Sequence, residues 1–247
     1  MKFGLKDNII VVTGGSGLIG CKIIDELKLH GAHVINADIS IETNLDKGLV
    51  YCDVTDNDSV VLAINQILQK FNKIDGWVNN AYPRTDDWGD KFENIKISSW
   101  SKNIEFQLNS VFICSKAILE IMKEQGFGSI VNISSIYGVV GPDFNIYNGT
   151  EMTMPAAYSA IKGGIINFTR YLASYFGQYG IRVNCVSPGG IFNNQSKIFV
   201  GQYEKKVPMK RMGKPEDISP SVAFLLSNSS AYITGQNLII DGGWTAI

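Results

Sequence analysis

The chain lacks the features that mark membrane, secreted or nucleic-acid-binding proteins. No run approaches the roughly 18 consecutive apolar residues that a membrane-spanning helix needs. Residues 1–7 contain no apolar segment or cleavage site before the first predicted strand, so we expect no signal peptide. Lys and Arg number 22 against 23 Asp and Glu, which gives no reason to expect nucleic acid or an anionic membrane as a partner. We therefore expect a cytoplasmic protein that binds neither nucleic acid nor a membrane.

Cysteine and histidine are scarce, at four and two residues. The cysteines fall in or beside apolar segments and form no Cys-x-x-Cys pair; they are Cys21, Cys52, Cys114 and Cys185. This placement predicts reduced core residues rather than disulfides or metal ligands. His30 and His33 have no ligand set near them in the sequence, so we expect structural roles for both and no metal site.

No linker, low-complexity stretch or internal repeat divides the chain, so we predict one domain spanning residues 1–247. Apolar strands alternate with helical patterns throughout, which is typical of an α/β fold whose parallel sheet is covered on both faces. Ligands of such sheets bind outside the carboxyl ends of the strands. Polar or turn-forming residues occupy the predicted strand ends at Asp38, Asp53, Asn79–Asn80, Ser134–Ser135 and Pro188–Gly189.

A glycine-rich turn follows the first predicted strand, with glycines at positions 14, 17 and 20 before a short helix. Glycines let the backbone approach a phosphate, and a helix N-terminus offers free N–H groups. Asp38 ends the next strand, 18 residues after Gly20, where it can bind an adenosine ribose and repel a 2′-phosphate. Its neighbour Ile39 supplies no positive charge. The segment therefore predicts a dinucleotide site that favours NAD over NADP.

Tyr158 and Lys162 lie four residues apart at the start of a predicted helix, so they share one helix face. A nearby positive charge favours the phenolate and lowers a tyrosine pKa from its usual value of about 10. A tyrosine adjusted in this way is a general acid or base. None of the other nine tyrosines among the ten has a lysine four residues later. We therefore predict that Tyr158 and Lys162 carry out proton transfer.

Taken together, these motifs resemble the short-chain dehydrogenase/reductase family over nearly the whole chain. The shared segments are residues 13–20, 53–55, 78–81, 133–135, 158–162, 183–189, 233–236 and 241–243. The resemblance implies a single Rossmann-type, doubly wound α/β domain with seven parallel strands and helices on both faces. It also implies hydride transfer between a nicotinamide and a carbinol or carbonyl. The cofactor half would cover about residues 1–130, and the catalytic and substrate half about 131–247.

The resemblance also implies roles for individual residues. Tyr158 would exchange a proton with the substrate oxygen, and Lys162 would lower its pKa and hold the nicotinamide ribose. Ser135 would hydrogen-bond the substrate oxygen, since the second serine of such a pair is usually the catalytic one in the family, while Ser134 would support the turn. The further cofactor-binding residues would be Gly14, Ser16, Gly17, Leu18, Ile19, Asp38, Asp53, Val54, Asn80, Ala81, Pro188, Gly189 and Ile191.

Two departures from the classical pattern affect the site. The glycine spacing is commoner in the extended branch, whose longer C-terminal substrate domain is not present in these 247 residues, so we keep the classical assignment. In addition, Gln107 stands where the family has a catalytic asparagine. Gln107 could hold a proton-relay water, Asn109 could replace it, or neither residue could serve.

An insertion at residues 141–155 separates Ser135 from Tyr158 and should form a loop over the site entrance. Tyr147 is a rival acid by spacing, but Glu151 rather than lysine follows it four residues later. Polar side chains of the insertion either bind substrate hydroxyls or are solvated; they are Asn145, Tyr147, Asn148 and Glu151. Residues 192–210 should form the substrate lid, whose lysines 197, 205 and 206 either meet a phosphate or are solvated.

Tyr82, Pro83 and Arg84 follow Ala81, where the family usually has a glycine. An aromatic ring suits the face of a sugar and a guanidinium suits an anion, although solvation explains a surface arginine equally well. Residues 79–84 and the insertion resemble those of dehydrogenases found with bacterial flagellin-modification and surface-sugar pathways. We therefore expect Arg84, together with Tyr147 and Asn148, to contact the substrate.

The sequence thus predicts an NAD-dependent oxidoreductase of a sugar-like or polyol substrate. This substrate could also carry a phosphate or a nucleotide. One alternative is a reductase of a small ketone, acyl thioester or steroid, which an apolar lid would favour. The other is a non-catalytic dinucleotide sensor or scaffold, against which the Ser135, Tyr158 and Lys162 set argues. By resemblance, helices near residues 101–125 and 155–178 would pair between subunits of a homotetramer or homodimer.

Overall fold

The computed structural model describes residues 3–247, whose strands form one parallel sheet. In chain order the strands are β1 Ile9–Thr13, β2 His33–Asp38, β3 Leu49–Tyr51, β4 Gly76–Asn79, β5 Gly128–Ile133, β6 Ile181–Pro188 and β7 Asn237–Ile240. Across the sheet they follow the order β3-β2-β1-β4-β5-β6-β7. The predicted α/β fold with seven parallel strands is confirmed.

Helices cover both faces of this sheet. They are α1 Leu18–Leu29, α2 Asn57–Phe71, α3 Ile97–Ile104, α4 Ser110–Gln125, α5 Ala156–Phe176, α6 Lys197–Lys206 and α7 Pro215–Leu226. The apolar side chains of α2, α4 and α5 pack on one face, and those of α1 and α7 pack on the other. Successive residues of β1 alternate between the two cores, since Val11 joins the first and Val12 the second. Burial on both faces explains why the strands read as continuous apolar runs.

The long helix that we predicted over residues 101–125 is interrupted. α3 begins earlier, at Ile97, and a five-residue π-helical segment, Glu105–Asn109, joins it to α4. A π-helical segment widens the helix locally and is frequent at functional sites. It places Gln107 at the interruption, with its side chain buried.

The sheet order creates the crevice in which a ligand can bind. The chain builds β2 and β3 on one side of β1 and then crosses to β4 on the other side, so the loops after β1 and β4 diverge. Ligands of open α/β sheets bind at such switch points. Within residues 3–247, no helix is long and apolar enough to cross a membrane, and no group of three or more metal-ligating side chains occurs. All four cysteines are free thiols, three of them buried.

Candidate active site

A main cavity of about 980 Å³ runs along the carboxyl edge of the sheet. This volume lies at the upper end of the roughly 300–1,000 Å³ of small-molecule sites. The cavity is lined by all of the further residues that we predicted to bind cofactor, namely Gly14, Ser16, Gly17, Leu18, Ile19, Asp38, Asp53, Val54, Asn80, Ala81, Pro188, Gly189 and Ile191. It is also lined by the predicted catalytic residues Ser135, Tyr158 and Lys162, and by Arg84 and Tyr147. The sequence-distant motifs therefore meet in one continuous space.

The glycine-rich turn is built around two close backbone approaches. Gly14 has a positive φ of 61°, and a Cβ added there would lie 2.7 Å from the Cα of Ala81. A Cβ on Gly20 would lie 2.4 Å from the carbonyl oxygen of Gly14. The N-cap of α1, Gly17, makes no side-chain capping bond, so the first N–H groups of α1 remain free for an anion.

Asp38 closes one end of the cavity. Its Oδ2 accepts the N–H of Ser16 at 3.0 Å, and its Oδ1 accepts the N–H of Ser40 at 3.0 Å and the hydroxyl of Ser40 at 2.7 Å. Burial disfavours the carboxylate, but the bonds from Ser40 and Ser16 outweigh it and lower the pKa of Asp38. Among the described residues that line the cavity, the cations are Arg84 and Lys162, both from the other end of the site.

Asn80 joins β4 to the glycine turn. Its amide nitrogen donates to the carbonyl oxygens of Thr13 and Gly14, both at 3.0 Å. The Thr13 hydroxyl in turn accepts the N–H groups of Asn80 and Ala81 at 3.0 and 3.2 Å. Asn80 therefore lines the cavity while its side chain holds the turn in shape.

Ser135, Tyr158 and Lys162 converge at the opposite end of the cavity from Asp38. Lys162 extends from α5 to donate to the carbonyl oxygen of Ile133 at 3.0 Å, and its Nζ lies 5.5 Å from the ring centre of Tyr158. Ser135 follows β5, and its Oγ accepts the N–H of Tyr137 at 3.2 Å. The Ser134 hydroxyl donates to the carbonyl oxygen of Lys162 at 2.8 Å, so the structure gives Ser134 the turn-supporting contact that we expected.

The expected lowering of the tyrosine pKa is not found in this structure. Burial raises the pKa of Tyr158, and the neighbouring Ser135 hydroxyl only partly counteracts it. Burial also lowers the pKa of Lys162 from 10.5 to about 8, so the charged form of the lysine is disfavoured as well. Both shifts have the same physical cause. Burial removes the water that would stabilise the phenolate of Tyr158 and the ammonium of Lys162.

An aromatic cluster packs around Tyr158. The rings of Tyr82, Trp88 and Tyr158 meet edge to face, with ring centres 5.8 to 6.1 Å apart. Lys162 Nζ lies 5.4 Å from the Tyr82 ring centre, and the Arg84 guanidinium lies 5.5 Å from it. Trp88 was not among the predicted site residues, because it stands in a polar loop without periodicity. Tyr82 packs against both Tyr158 and Lys162, which fits the expectation that residues 82–84 border the cleft.

Two predicted site residues do not line the main cavity. Asn148 is exposed, and its carbonyl oxygen accepts the side-chain amide of Gln202 at 2.8 Å. Gln107 is 3% exposed and lies outside the cavity lining, and neither atom of its amide has a hydrogen-bond partner among the described residues. The alternative residue, Asn109, is exposed.

The insertion and the lid pack against each other, and both segments contribute to the cavity lining. The Tyr147 and Phe199 ring centres are 5.4 Å apart, and Lys206 forms an ion pair with Asp143. The lid lysines at positions 197, 205 and 206 are absent from the cavity lining, which favours the solvated alternative over a phosphate contact. The side chains that these segments present to the cavity are a mixture of apolar, aromatic and amide groups: Tyr147, Met152, Thr153, Met154, Pro155, Asn193, Gln195, Phe199 and Tyr203.

A parallel sheet with a glycine-built anion cradle and a carboxylate at its carboxyl edge defines the class of Rossmann-type dinucleotide-binding proteins. A family model described as enoyl-(acyl carrier protein) reductase matches residues 16–245. The chain belongs to the short-chain dehydrogenase/reductase family of oxidoreductases, which use a nicotinamide cofactor, and the predicted family membership is confirmed.

Individual relatives cover almost the whole chain. It is 35% identical over 253 residues to the post-translational flagellin modification protein A of Campylobacter coli, covering 97% of this chain and 99% of that protein. It is 35% identical over 256 residues to a 3-oxoacyl-(acyl-carrier-protein) reductase of Chlamydia muridarum, covering 97% and 98%. A crystal structure of a short-chain dehydrogenase of Leptospira borgpetersenii with bound NAD+ superposes with a TM-score of 0.89 at 37% identity, covering 98% of this chain and 94% of that chain.

Proposed function

We propose that this protein is a cytoplasmic, NAD-dependent oxidoreductase that interconverts a secondary alcohol and a ketone in a sugar-like or polyol substrate bearing an anionic phosphate or nucleotide group. The observation that carries the proposal is the convergence of Ser135, Tyr158 and Lys162 at one end of a cavity that reaches Asp38 at the other. This arrangement spans a dinucleotide site and a reacting centre in one continuous space.

The residues present fit a dinucleotide. The uncapped start of α1 and the close approach at Gly14 leave room and free N–H groups for a pyrophosphate. Asp53 and Val54 would contact the adenine, and the segment 188–191 would face the nicotinamide amide. When bound, the nicotinamide supplies the hydride acceptor or donor. Asp38 would bind the ribose hydroxyls, and its ionised carboxylate would repel a 2′-phosphate with no cation beside it to compensate.

The three catalytic side chains would act on the substrate oxygen. Burial holds the Tyr158 pKa above its ordinary value, so the phenol is protonated near neutral pH and can donate its proton to a ketone oxygen. Ser135 would hydrogen-bond the same oxygen and stabilise the negative charge that develops there. Lys162 would hold the nicotinamide ribose and favour the phenolate in the oxidative direction. Gln107 would hold a relay water through its otherwise unpartnered amide.

The substrate class rests on Tyr82 and Arg84. Arg84 forms no ion pair within residues 3–247, and its guanidinium lies over the Tyr82 ring at the cavity. An aromatic face beside a free guanidinium matches a sugar that carries an anion. The similarity to a flagellin modification protein favours the same class.

A second candidate function is the reduction of a 3-oxoacyl thioester or a steroid. It is favoured by the methionines and aromatic rings that the insertion and lid turn towards the cavity, among them Met152, Met154 and Phe199. The similarity to a 3-oxoacyl-(acyl-carrier-protein) reductase and, at 32% identity, to a 7alpha-hydroxysteroid dehydrogenase of Bacteroides fragilis points in the same direction. The third candidate, a non-catalytic dinucleotide sensor, is favoured only by the replacement of the family's asparagine at Gln107.

Fluorescence titration with NADH and NADPH, followed by a turnover screen on the same preparation, tests the proposal. The screen would contain sugar phosphates, nucleotide sugars, 3-oxoacyl thioesters and steroids, with Tyr158→Phe as the matched control. We expect tighter binding of NADH than NADPH, turnover of an anionic sugar, and a loss of about 10²- to 10⁴-fold in kcat for Tyr158→Phe with NADH binding retained. Asp38→Asn should reduce the ratio of NADH affinity to NADPH affinity.

Each contrary result identifies a different rival. Turnover confined to thioesters or steroids would establish the second candidate function. Tight NADH binding without any turnover would favour the sensor. A preference for NADPH would contradict the role given to Asp38.

A further inference from the structure

Tyr203 occupies a position that the catalytic scheme does not explain. It lies on the lid helix α6 but is 2% exposed, because its ring stacks on Trp244 with ring centres 4.7 Å apart. Its hydroxyl accepts the N–H of Gly190 at 2.7 Å. Burial raises the pKa of Tyr203 to about 12, so the hydroxyl remains neutral at physiological pH. A lid residue is therefore bonded to the loop that follows β6.

Tyr203 packs so closely against Gly189 and Gly190 of that loop that neither position has room for a side chain. A Cβ on Gly190 would lie 2.7 Å from Tyr203 Cε2, and a Cβ on Gly189 would lie 2.9 Å from the Tyr203 hydroxyl. Behind the loop lies a second cavity of about 160 Å³, and Tyr203 lines both this cavity and the main one. Backbone bonds hold the loop on the sheet side, since the Gly189 N–H donates to Ile240 and the Gly190 carbonyl oxygen accepts the Gly213 N–H, both at 2.9 Å. The bond from the Gly190 N–H to the Tyr203 hydroxyl ties the same loop to the lid helix.

The lid end of this connection is also tied to the insertion. Gln202, next to Tyr203, donates its side-chain amide to the carbonyl oxygen of Asn148 at 2.8 Å. Lys206, one turn further along α6, pairs with Asp143 and lies 5.3 Å from the Trp244 ring centre. The lid helix is thus joined to the insertion through Gln202 and Lys206 and to the loop after β6 through Tyr203.

We propose that Tyr203 is a positioning residue that couples the lid to the nicotinamide end of the cofactor site. By holding the Gly190 N–H, it fixes the segment 188–191 in the position that grips the nicotinamide, and the same contact seats the lid helix. The inference rests on the proposed function in one respect, that the segment 188–191 faces the nicotinamide.

Calorimetric titration of the intact protein with NADH and with ADP-ribose, which lacks the nicotinamide, tests this coupling. For Tyr203→Phe, which keeps the ring and removes the hydroxyl, we expect NADH binding to weaken by about twofold to tenfold, the effect of one lost hydrogen bond. ADP-ribose binding should stay unchanged. Tyr179→Phe, which removes a hydroxyl distant from the cavity, is the matched control and should alter neither.

Hydrogen exchange of residues 192–210 provides the second readout. In the wild type, NADH should protect the lid and ADP-ribose should not, and Tyr203→Phe should lose the NADH-dependent protection. Gly190→Ala adds a methyl group against the Tyr203 ring and should reproduce both losses, which gives an independent variant if Tyr203→Phe folds poorly.

The outcomes separate this proposal from the function itself. Equal weakening of NADH and ADP-ribose by Tyr203→Phe would show a general structural role and overturn the coupling, as would unchanged binding of both or a lid that stays protected. A wild-type protein that binds ADP-ribose but gains nothing from the nicotinamide would overturn the coupling together with the proposed use of NAD.

Discussion

At the scale of single residues, the site is defined by polar groups that the fold buries at a cost. Lys162 is a buried ammonium whose pKa falls to about 8, and its hydrogen-bonding contact within the protein is one carbonyl oxygen. Gln107 is a buried amide with no partner among the described residues. Groups of this kind destabilise a fold and mark positions where function is the reason for the residue.

Lys162→Met should therefore make the protein more stable while abolishing turnover. The unfolded protein holds the lysine proton up to about pH 10.5, whereas the folded protein releases it near pH 8, so the lysine costs stability below pH 8. We expect a gain on the order of 1–3 kcal/mol in the free energy of unfolding at pH 7. The gain should shrink as the pH rises from 8 towards 10.5, because the wild type then becomes uncharged in both states. Urea unfolding at several pH values measures it.

The control is a lysine whose side chain is exposed to solvent in the folded protein. Lys28 is exposed on α1, so Lys28→Met should show no pH-dependent gain in the free energy of unfolding. Equal stability of Lys162→Met and the wild type at pH 7 would contradict the burial cost. A gain that does not change with pH would assign it to packing rather than to charge.

Gln107→Met should also separate stability from activity. Removing an amide that lacks partners should raise the free energy of unfolding by about 1 kcal/mol. If the amide holds a relay water, kcat should fall by about tenfold while the KM for NADH is unchanged. Gln107→Asn should restore part of kcat, because it returns an amide to the site. A methionine variant that is more stable and fully active would exclude the relay role.

At the scale of elements, two glycines in the turn between β1 and α1, Gly17 and Gly20, differ in the space around them. Gly20 faces the backbone of the turn, where an added Cβ would lie 2.4 Å from the Gly14 carbonyl oxygen. Gly17 is exposed at the cavity, and the nearest atom to an added Cβ is 3.3 Å away. The packing of the turn therefore requires Gly20, whereas Gly17 leaves open space at the cavity, where we predict that the pyrophosphate binds.

We expect Gly20→Ala and Gly17→Ala to affect different measurements. Gly20→Ala should lower the thermal midpoint by several degrees, since overpacking costs about 1–3 kcal/mol. Gly17→Ala should leave the midpoint nearly unchanged but weaken NADH binding at least tenfold, because the methyl group enters the pyrophosphate cradle. Thermal unfolding and NADH titration of the two variants check this. Identical behaviour of the pair would contradict the division of roles.

At the scale of the whole molecule, an aromatic stripe lies on the outer side of α4 and α5. Phe112, Phe168, Tyr171 and Tyr175 follow one another with ring centres 6.1 to 6.2 Å apart. Tyr171 is 61% exposed and Phe112 is 52% exposed. An exposed apolar stripe of this kind favours association, and we propose that these helices pair between subunits of a homotetramer or homodimer.

Tyr171→Glu should therefore reduce the molar mass of the assembly in solution. Two copies of a charge would face each other across a twofold axis and would lose water without a partner. Light scattering coupled to size exclusion measures the mass. Leu62→Glu places the same charge on an exposed position of α2 and should leave the mass unchanged. A wild type that is already a monomer would refute the proposed assembly.

The sequence by itself determined the fold class, the alternation of strands with helices, and the motifs that converge on the cavity. It did so because apolar periodicity and glycine-rich turns are local properties, and because parallel strands bring their carboxyl ends to one edge. Only the tertiary structure decided which side chains reach the cavity. It excluded Asn148 and the lid lysines, placed Trp88 against Tyr158, and revealed the π-helical interruption that buries Gln107. It also raised the pKa of Tyr158 by burying the side chain, whereas the sequence predicted a lowered pKa. The direction of a side chain and its loss of water depend on contacts between distant segments, which local sequence patterns do not encode.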